Sequence, residues 1–144
     1  MRKKEYLPVD LHLHSTASDG LLSPEELIAR AAASGMAAAA LTDHDTLDGV
    51  EEALAAGRRC NMEVLPGVEI SASAGEQEIH LLGYDPLDPE KLNVELEKLR
   101  RERCRRMEKM VALLNGLGLK ITEAEIASEA GRAAPAVASG PPVS

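Results

Sequence analysis

Short apolar runs alternate with helix-forming segments through residues 6–84 of this chain. The apolar runs predict strands at Tyr6–His14, Met36–Leu41, Met62–Ser71 and Glu76–Tyr84. Helices are predicted from a Ser23 cap to about Ala33 and from Thr46 to about Gly57. Strands that alternate with helices are typical of βαβ units, so the sequence predicts an α/β fold with a mainly parallel sheet.

The run Met36–Leu41 is the ambiguous part of this pattern, because its four alanines favour a helix. However, Gly35 is suited to end the preceding helix, and the polar residues Thr42 and Asp43 follow directly. A short, wholly apolar run between a helix stop and a polar cluster is more typical of a buried parallel strand. We therefore expect a strand here.

Two of the four histidines, His12 and His14, are separated by one leucine. In a strand, residues i and i+2 share a face, so both imidazoles should project to the same side. An isolated pair of this kind fits a solvated strand face as well as a metal site. The other polar residues decide between these readings, because Asp43, His44, Asp45 and Glu69 also fall near the carboxyl ends of predicted strands. In parallel sheets, function gathers at that edge.

Six residues are candidate metal ligands: His12, His14, Asp19, His44, Glu69 and His80. Mixed imidazole and carboxylate sets suit Mn, Zn or Fe, and six ligands exceed the need of one tetrahedral ion. The set therefore predicts two or three ions with a bridging carboxylate such as Glu69, which is typical of phosphoester hydrolysis. The sequence contains no phosphate-binding glycine loop of the P-loop type.

Composition limits the alternatives. The 144 residues suffice for one domain, and the net charge of -8 argues against general affinity for nucleic acid or membranes. No apolar run approaches membrane-spanning length. Cys60 and Cys104 are far apart in sequence, so we expect a reduced, cytoplasmic protein.

After the last predicted strand, a long charged helix is expected from Pro89 to Asn115. Five arginines lie in its middle, within 100–106. A solvated face partly paired with glutamates is the favoured interpretation, and a phosphate-facing patch is the alternative. A capping box at Thr122 predicts a short helix to about Ala130, and the tail 131–144 is expected to be disordered.

Five sequence segments resemble the early motifs of PHP domains, the polymerase and histidinol phosphatase family of metal-dependent phosphoesterases. They read Asp-Leu-His-Leu-His-Ser, Ser-Asp-Gly, Leu-Thr-Asp-His-Asp, Pro-Gly-Val-Glu-Ile-Ser and Glu-Ile-His-Leu-Leu-Gly-Tyr. The resemblance covers residues 7 to about 130 and implies part of a distorted (β/α)7 barrel. The helical segment that follows resembles the insertion of bacterial enzymes that remove the 3′-phosphate of nucleoside 3′,5′-bisphosphates, some relatives of which trim short RNA.

The resemblance also implies how up to three ions would be held. His12, His14 and Glu69 would hold the first ion. Asp19 and His44 would hold the second, and Glu69, as a bridge, would hold the third with His80. Asp19, His44 and Asp45 are the expected catalytic group, while Asp43 and Asp45 are expected to orient imidazoles.

The chain departs from the family pattern because no histidine follows His80. The family has a later His and a final Asp-x-His motif, so each ion lacks one ligand. We therefore expect the first half of a barrel at 1–86, a helical insertion at 87–130 and the tail at 131–144. A truncated product, a shifted reading frame and a degenerate paralogue remain open, as does a partner chain that completes the barrel.

The expected function is hydrolysis of phosphomonoesters in nucleotides or short oligonucleotides, with a metal-bound water as the nucleophile. The alternative is a non-catalytic metal-binding or interaction module of the same fold. A metal-dependent amidohydrolase on a related barrel is a third reading, but the later His and carbamylated Lys that it needs have no counterpart in the sequence. By itself the chain is expected to turn over little substrate and to self-associate through the incomplete barrel.

Overall fold

The computed structural model of the protein describes residues 7–75, 77–122 and 124–126. The elements follow one another as β1 (Val9–Leu13), α1 (Pro24–Ala33), β2 (Ala38–Leu41), α2 (Val50–Cys60), β3 (Glu63–Ala74), β4 (Gln77–Tyr84) and α3 (Pro89–Gly116). The chain divides into two compact units, Met1–Arg101 and Glu102–Ser144, with the boundary inside α3. All candidate ligands belong to the first unit.

The four strands form one sheet in the order β1-β2-β3-β4. The first three strands are parallel, and β4 returns antiparallel to β3. Although β1 and β4 lie at opposite edges, the hydroxyl of Tyr84 donates a hydrogen bond to the carbonyl oxygen of Leu11 at 2.8 Å. This contact requires the sheet to curl. The predicted α/β class is confirmed, and the curled sheet with its helices is consistent with part of a barrel.

Helix α1 begins where its sequence signals predict. The Ser23 hydroxyl accepts a hydrogen bond from the backbone N–H of Glu26, and the Glu26 carboxylate accepts one from the backbone N–H of Ser23. This reciprocal pairing satisfies backbone donors that a helix start otherwise leaves without partners. At the other end, Gly35 adopts φ 82°, as expected for the residue after a helix.

Helix α2 does not begin at Thr46, as predicted, but at Val50, and it ends at Cys60. The Thr46 hydroxyl accepts a hydrogen bond from the N–H of Asp48, and this local turn competes with helix. The helix passes Gly57 and stops at Asn61, whose φ is 52°. Asparagine is one of the few residues with a side chain that adopts this left-handed conformation readily.

The ambiguous alanine run is a strand, as predicted. Ala39, Ala40 and Leu41 of β2 are buried. Ala39 and Leu41 face α1 and α2, which pack against each other. The core between these elements consists of Ile28, Ala39, Leu41, Ala53, Ala56 and Met62.

Strand β3 is longer than expected, with twelve residues from Glu63 to Ala74. Its last eight residues, 67–74, pair with β4, and this ladder keeps the chain extended beyond the predicted end at Ser71. Glu69 therefore lies inside a strand and not at a strand end, and His80 lies inside β4.

The long helix α3 is confirmed, with bounds Pro89–Gly116. The capping box at Thr122 is also present, because Thr122 and Glu125 exchange hydrogen bonds. The end of the short helix, the tail 131–144 and the predicted strand residue Tyr6 lie outside the described residues. Among the helices of the described part of the chain, none is long and apolar enough to cross a membrane.

Candidate metal centre

The structure brings the six candidate ligands together on one side of the curled sheet. They come from β1 (His12), the loop after it (His14 and Asp19), the loop after β2 (His44), β3 (Glu69) and β4 (His80). The four imidazoles form a row, with ring centroids 5.0, 4.7 and 5.0 Å apart in the order His12, His14, His44, His80. Residues from four strands and their loops thus converge within a few ångströms.

Glu69 is the centre of this arrangement. Its Oε2 lies 2.8 Å from Nε2 of His12 and 2.9 Å from Nε2 of His14, and its Oε1 lies 2.7 Å from Nδ1 of His80. Burial raises the pKa of the Glu69 carboxyl, but the hydrogen bond from His12, the nearby His44 and the hydrogen bond from His80 outweigh it. The net pKa of Glu69 is therefore below its ordinary value. Each oxygen faces a different side, so this carboxylate can bridge two ions.

Asp19 and His44 are spaced differently. Nε2 of His44 lies 3.6 Å from Asp19 Oδ2 and 3.6 Å from Glu69 Oε2, and Nδ1 of His14 lies 3.3 Å from Asp19 Oδ1. These distances are long for hydrogen bonds. They are close to the separation of about 3.3–3.4 Å between two ligands that bind one tetrahedral ion at roughly 2.0–2.1 Å. The spacing therefore fits a shared cation better than direct pairing.

The described residues form three overlapping groups whose ligand atoms lie within 4.8 Å of one another. The groups are His12, His14 and Glu69; His14, Asp19 and His44; and His44, Glu69 and His80. Such mixed nitrogen and oxygen sets are compatible with divalent metal ions. A neutral imidazole offers one lone pair, so His14 and His44 can each serve only one of the two groups to which they belong.

Two buried nitrogen atoms add to this fit. Within the described residues, neither Nδ1 of His14 nor Nδ1 of His44 has a hydrogen-bond partner. A buried polar atom without a partner is costly and rare in folded proteins. Nδ1 of His14 faces Oδ1 of Asp19 at 3.3 Å, so it can serve the second group when His14 does not bind a cation through Nε2.

An irregularity in β1 was not foreseen from the sequence. The register with β2 shifts between Asp10 and Leu13, where three steps in β1 match two in β2. The Asp10 carboxylate accepts a hydrogen bond from the N–H of His12 and supports this bulge. Bulges re-aim side chains near functional sites, and this one directs His12 towards Glu69. The period-two alternation alone carries no signal for it.

The acids on either side of His44 hold backbone and hydroxyl groups. The buried Asp43 carboxylate accepts hydrogen bonds from Ser15 and Ser18 in the described structure. Asp45 Oδ1 accepts the N–H of Ser71, and Arg100 donates to the Asp45 carbonyl oxygen at 2.8 Å. The role of Asp45 in catalysis stays a prediction.

The arginines of α3 contact carboxylates and backbone in the described structure. Arg101 pairs with Glu97 at 2.5 Å, and Arg105 pairs with Glu102. Surface pairs of this spacing contribute little to stability but improve solvation. The solvated-face interpretation of this segment remains a prediction.

A separate cavity of about 510 Å³ lies where α2 meets the start of α3. Its lining is apolar apart from one amide, Asn93, and four carboxylates, and no basic side chain is part of it. The residues are Leu47, Asp48, Val50, Glu51, Leu54, Pro66, Asp85, Pro86, Pro89, Glu90 and Asn93. Carboxylates repel a phosphate group. The cavity is therefore a poor site for an anionic ligand.

Comparison with known proteins shows which family the chain resembles. Residues 10–120 match the PHP domain. The chain is 45% identical over 113 residues to a 3′,5′-nucleoside bisphosphate phosphatase of Chromobacterium violaceum. The matched region covers 77% of this chain and 39% of the relative. It is 50% identical over 76 residues to a 5′-3′ exoribonuclease of Haemophilus influenzae. This match covers 53% of this chain and 28% of the relative.

Two solved structures are similar. One is an amidohydrolase from Chromobacterium violaceum with bound sulfate and no metal, at TM-score 0.71 and 43% identity, covering 78% of this chain and 40% of the other. The second is described as a metal-dependent phosphoesterase from Bifidobacterium adolescentis, with a TM-score of 0.76 and 30% identity. The match covers 86% of this chain and 43% of the other. The chain thus spans less than half the length of these relatives. With its early motifs, its curled sheet and its histidine cluster, this chain belongs to the PHP domain family.

Proposed function

We propose that this PHP domain serves the metal-dependent hydrolysis of phosphomonoesters in nucleotides or short oligonucleotides. The observation that carries the proposal is the set of three overlapping ligand groups that share the buried carboxylate of Glu69. A site of this kind can hold several cations within a few ångströms, as the two-metal sites of phosphatases and nucleases do.

In this proposal, His12, His14 and Glu69 hold one ion, Asp19 and His44 hold a second, and Glu69 and His80 hold a third. The metal is Mn, Zn or Fe, to judge from the donor atoms. When bound, such ions supply an activated water as the nucleophile and neutralise charge on the phosphate. The Asp19 side chain is 66% exposed, so it lies at the solvent side of the cluster, where a substrate would enter.

The relatives support this choice of substrate class. Two of them are named as a 3′,5′-nucleoside bisphosphate phosphatase and a 5′-3′ exoribonuclease. One similar structure contains a bound sulfate, which has the tetrahedral shape of a phosphate group. These names point to phosphorylated small molecules or short RNA as the partners that we propose here.

The test is phosphate release from adenosine 3′,5′-bisphosphate by the purified chain at saturating Mn²⁺, with the same ligand also titrated calorimetrically. We expect Mn²⁺-dependent binding and slow release, and loss of both in the double variant Asp19→Ala, His44→Ala. Slow release is expected because the second and third ions have two ligands each on these assignments. Binding or release that the double variant leaves unchanged would contradict the proposal.

A non-catalytic metal-binding module is the second candidate. It is favoured by the sharing of His14 and His44 between groups, since six residues cannot fill three sites independently. In that case Mn²⁺ would bind, but no phosphate would be released even at high protein concentration. Rapid turnover would contradict this candidate and would imply that further residues complete the site.

We also propose self-association through the edge of β1. In the described part of the chain β1 pairs only with β2, and its Val9 and Leu11 are exposed apolar side chains. An open edge of this kind is a template for pairing with a second copy. We expect sedimentation velocity to show a concentration-dependent dimer that Val9→Lys weakens. A monomer at all concentrations would contradict this expectation.

The cytoplasmic location is a proposal too. Cys60 and Cys104 are exposed, free cysteines. Exposed thiols persist in a reducing compartment, which agrees with the location expected from the sequence.

A further inference from the structure

The loop that carries Asp19 is tied back on itself at several points. The N–H groups of Ser18 and Gly20 both donate to the carbonyl oxygen of Ser15, at 3.1 and 2.8 Å, and the N–H of Thr16 donates to the carbonyl oxygen of Leu22. The turn is so tight that a Cβ on Gly20 would lie 2.2 Å from the carbonyl oxygen of His14. Position 20 therefore needs a glycine, and the hydrogen bonds hold the backbone of the loop in a tight turn.

The Asp43 carboxylate accepts three hydrogen bonds from this loop. Its Oδ1 accepts the N–H of Ser15 at 2.7 Å and the hydroxyl of Ser18 at 2.6 Å, and its Oδ2 accepts the hydroxyl of Ser15 at 2.7 Å. Asp43 and Ser15 are both buried. Hydroxyl-to-carboxylate bonds of about 2.5–2.7 Å are charge-assisted and strong. A buried carboxylate without these donors would be costly, so the loop and Asp43 depend on each other.

The Ser18 hydroxyl also lies 3.2 Å from Oδ1 of Asp19. A hydroxyl has only one proton to donate. Because the Ser18 hydroxyl lies only 2.6 Å from Oδ1 of Asp43, it donates its proton to Asp43. Ser18 therefore connects the loop to Asp43 and does not itself fix the Asp19 side chain.

Asp19 has little to hold it by its own contacts. Among the described residues, its carboxylate contacts only His14, His44 and Ser18, at 3.2–3.6 Å, and the side chain is 66% exposed. An exposed side chain with such weak contacts keeps much of its rotamer freedom, so what is fixed is the place of its backbone. The position of Asp19 is thus set by the loop and, through the loop, by Asp43.

The backbone of Asp43 reaches a second ligand. Its carbonyl oxygen accepts the N–H of Glu69 at 3.1 Å, and the N–H of Asp45 donates to the carbonyl oxygen of Glu69 at 2.9 Å. These two bonds place His44 beside Glu69 in a parallel bridge. Asp43 therefore links two parts of the site. Its carboxylate binds the loop of Asp19, and its carbonyl oxygen binds the N–H of Glu69.

We infer that Asp43 is a positioning residue, which holds the 15–20 loop so that Asp19 is placed to share a cation with His44. This inference rests on the metal site proposed above. It differs from the expectation that Asp43 orients an imidazole, because the donors to its carboxylate come from the loop.

The first test needs no metal. Hydrogen exchange is measured on the metal-free chain and on the variants Asp43→Ala, Asp43→Asn and Ser18→Ala. In Asp43→Ala the amides of Thr16 and Gly20, whose acceptors are backbone oxygens, should exchange at least about tenfold faster, while amides of β2 and β3 keep their protection. Asp43→Asn should restore most of the protection, since its oxygen still accepts from Ser15.

The second test is Mn²⁺ binding by calorimetry. In Asp43→Ala and, to a lesser extent, in Ser18→Ala, we expect the site of Asp19 and His44 to bind about 10–100-fold more weakly. The site of His12, His14 and Glu69 should be unaffected. Ser34→Ala is the matched control, because it also removes a hydroxyl donor, on the exposed end of α1.

Two outcomes would overturn the inference. One is loop exchange in both Asp43→Ala and Ser18→Ala that equals that of the unsubstituted chain. The other is faster exchange throughout β2 and β3 in Ser18→Ala as well, which would indicate a general role in stability. Absence of Mn²⁺ binding to the unsubstituted chain would instead refute the proposed function, and the exchange comparison would still decide the role of Asp43.

Discussion

The substitution Glu69→Gln is expected to abolish tight binding of Mn²⁺. One oxygen of Glu69 faces His12 and His14, and the other faces His80, so a single change removes the anionic ligand from two of the three groups. A ligand that binds the folded state stabilises it by roughly 2.7 kcal/mol at about 100 times its dissociation constant. We expect this stabilisation by Mn²⁺ to vanish in the variant, as measured by thermal unfolding with and without the metal.

The matched control is Glu63→Gln, the same change at an exposed position in the same strand. Mn²⁺ should stabilise the Glu63→Gln variant as much as it stabilises the unsubstituted chain. Without metal, Glu69→Gln should still fold, because glutamine has nearly the same shape and can still accept hydrogen bonds from the imidazoles. A full Mn²⁺ response in Glu69→Gln would show that the histidine cluster is not the metal centre.

The substitution Leu41→Ala is expected to lower the free energy of unfolding by about 2–5 kcal/mol. Leu41 is 1% exposed and lies in the core between β2 and the helices, together with Ile28 and Met62. Removing its side chain leaves a cavity that the surrounding alanines are too small to fill. Because small domains are stable by only about 5–15 kcal/mol, this is a large fraction of the total.

Urea unfolding of the metal-free chain measures this effect, and Leu87→Ala is its control. Leu87 is fully exposed, so the same change there should alter the free energy of unfolding by less than about 0.5 kcal/mol. Equal losses at both positions would contradict the core described here, as would no loss at Leu41.

Much of the fold could be predicted from local sequence signals. The capping box at Ser23 fixes the start of α1 by two reciprocal hydrogen bonds within four residues. The alanine run after Gly35 could be recognised as a strand because of what flanks it. His12 and His14 were expected on one side because a strand alternates its faces, and both do face Glu69, although β1 ends at Leu13 and contains a bulge. In each case the signal lies in residues close in sequence.

Boundaries and lengths were less predictable, because other contacts compete with propensity. Helix α2 starts four residues later than its apolar pattern indicates, because Thr46 forms a local turn. Strand β3 continues to Ala74 because β4 pairs with its last eight residues. The bulge in β1 depends on its register with β2, and single-strand periodicity contains no information about that register.

For the candidate site, the sequence alone determined which residue types were available and in which motif order the imidazoles and carboxylates occur along the chain. Only the tertiary structure decided how they meet. Glu69 is the shared candidate ligand because β3 lies between β2 and β4 in a curled sheet, so that its carboxylate faces histidines from both sides. Asp43 became the support of the Asp19 loop because its buried charge needs donors, and those donors lie 25 and 28 residues away in the chain. Hydrogen bonds across such distances depend on packing, which no local pattern encodes.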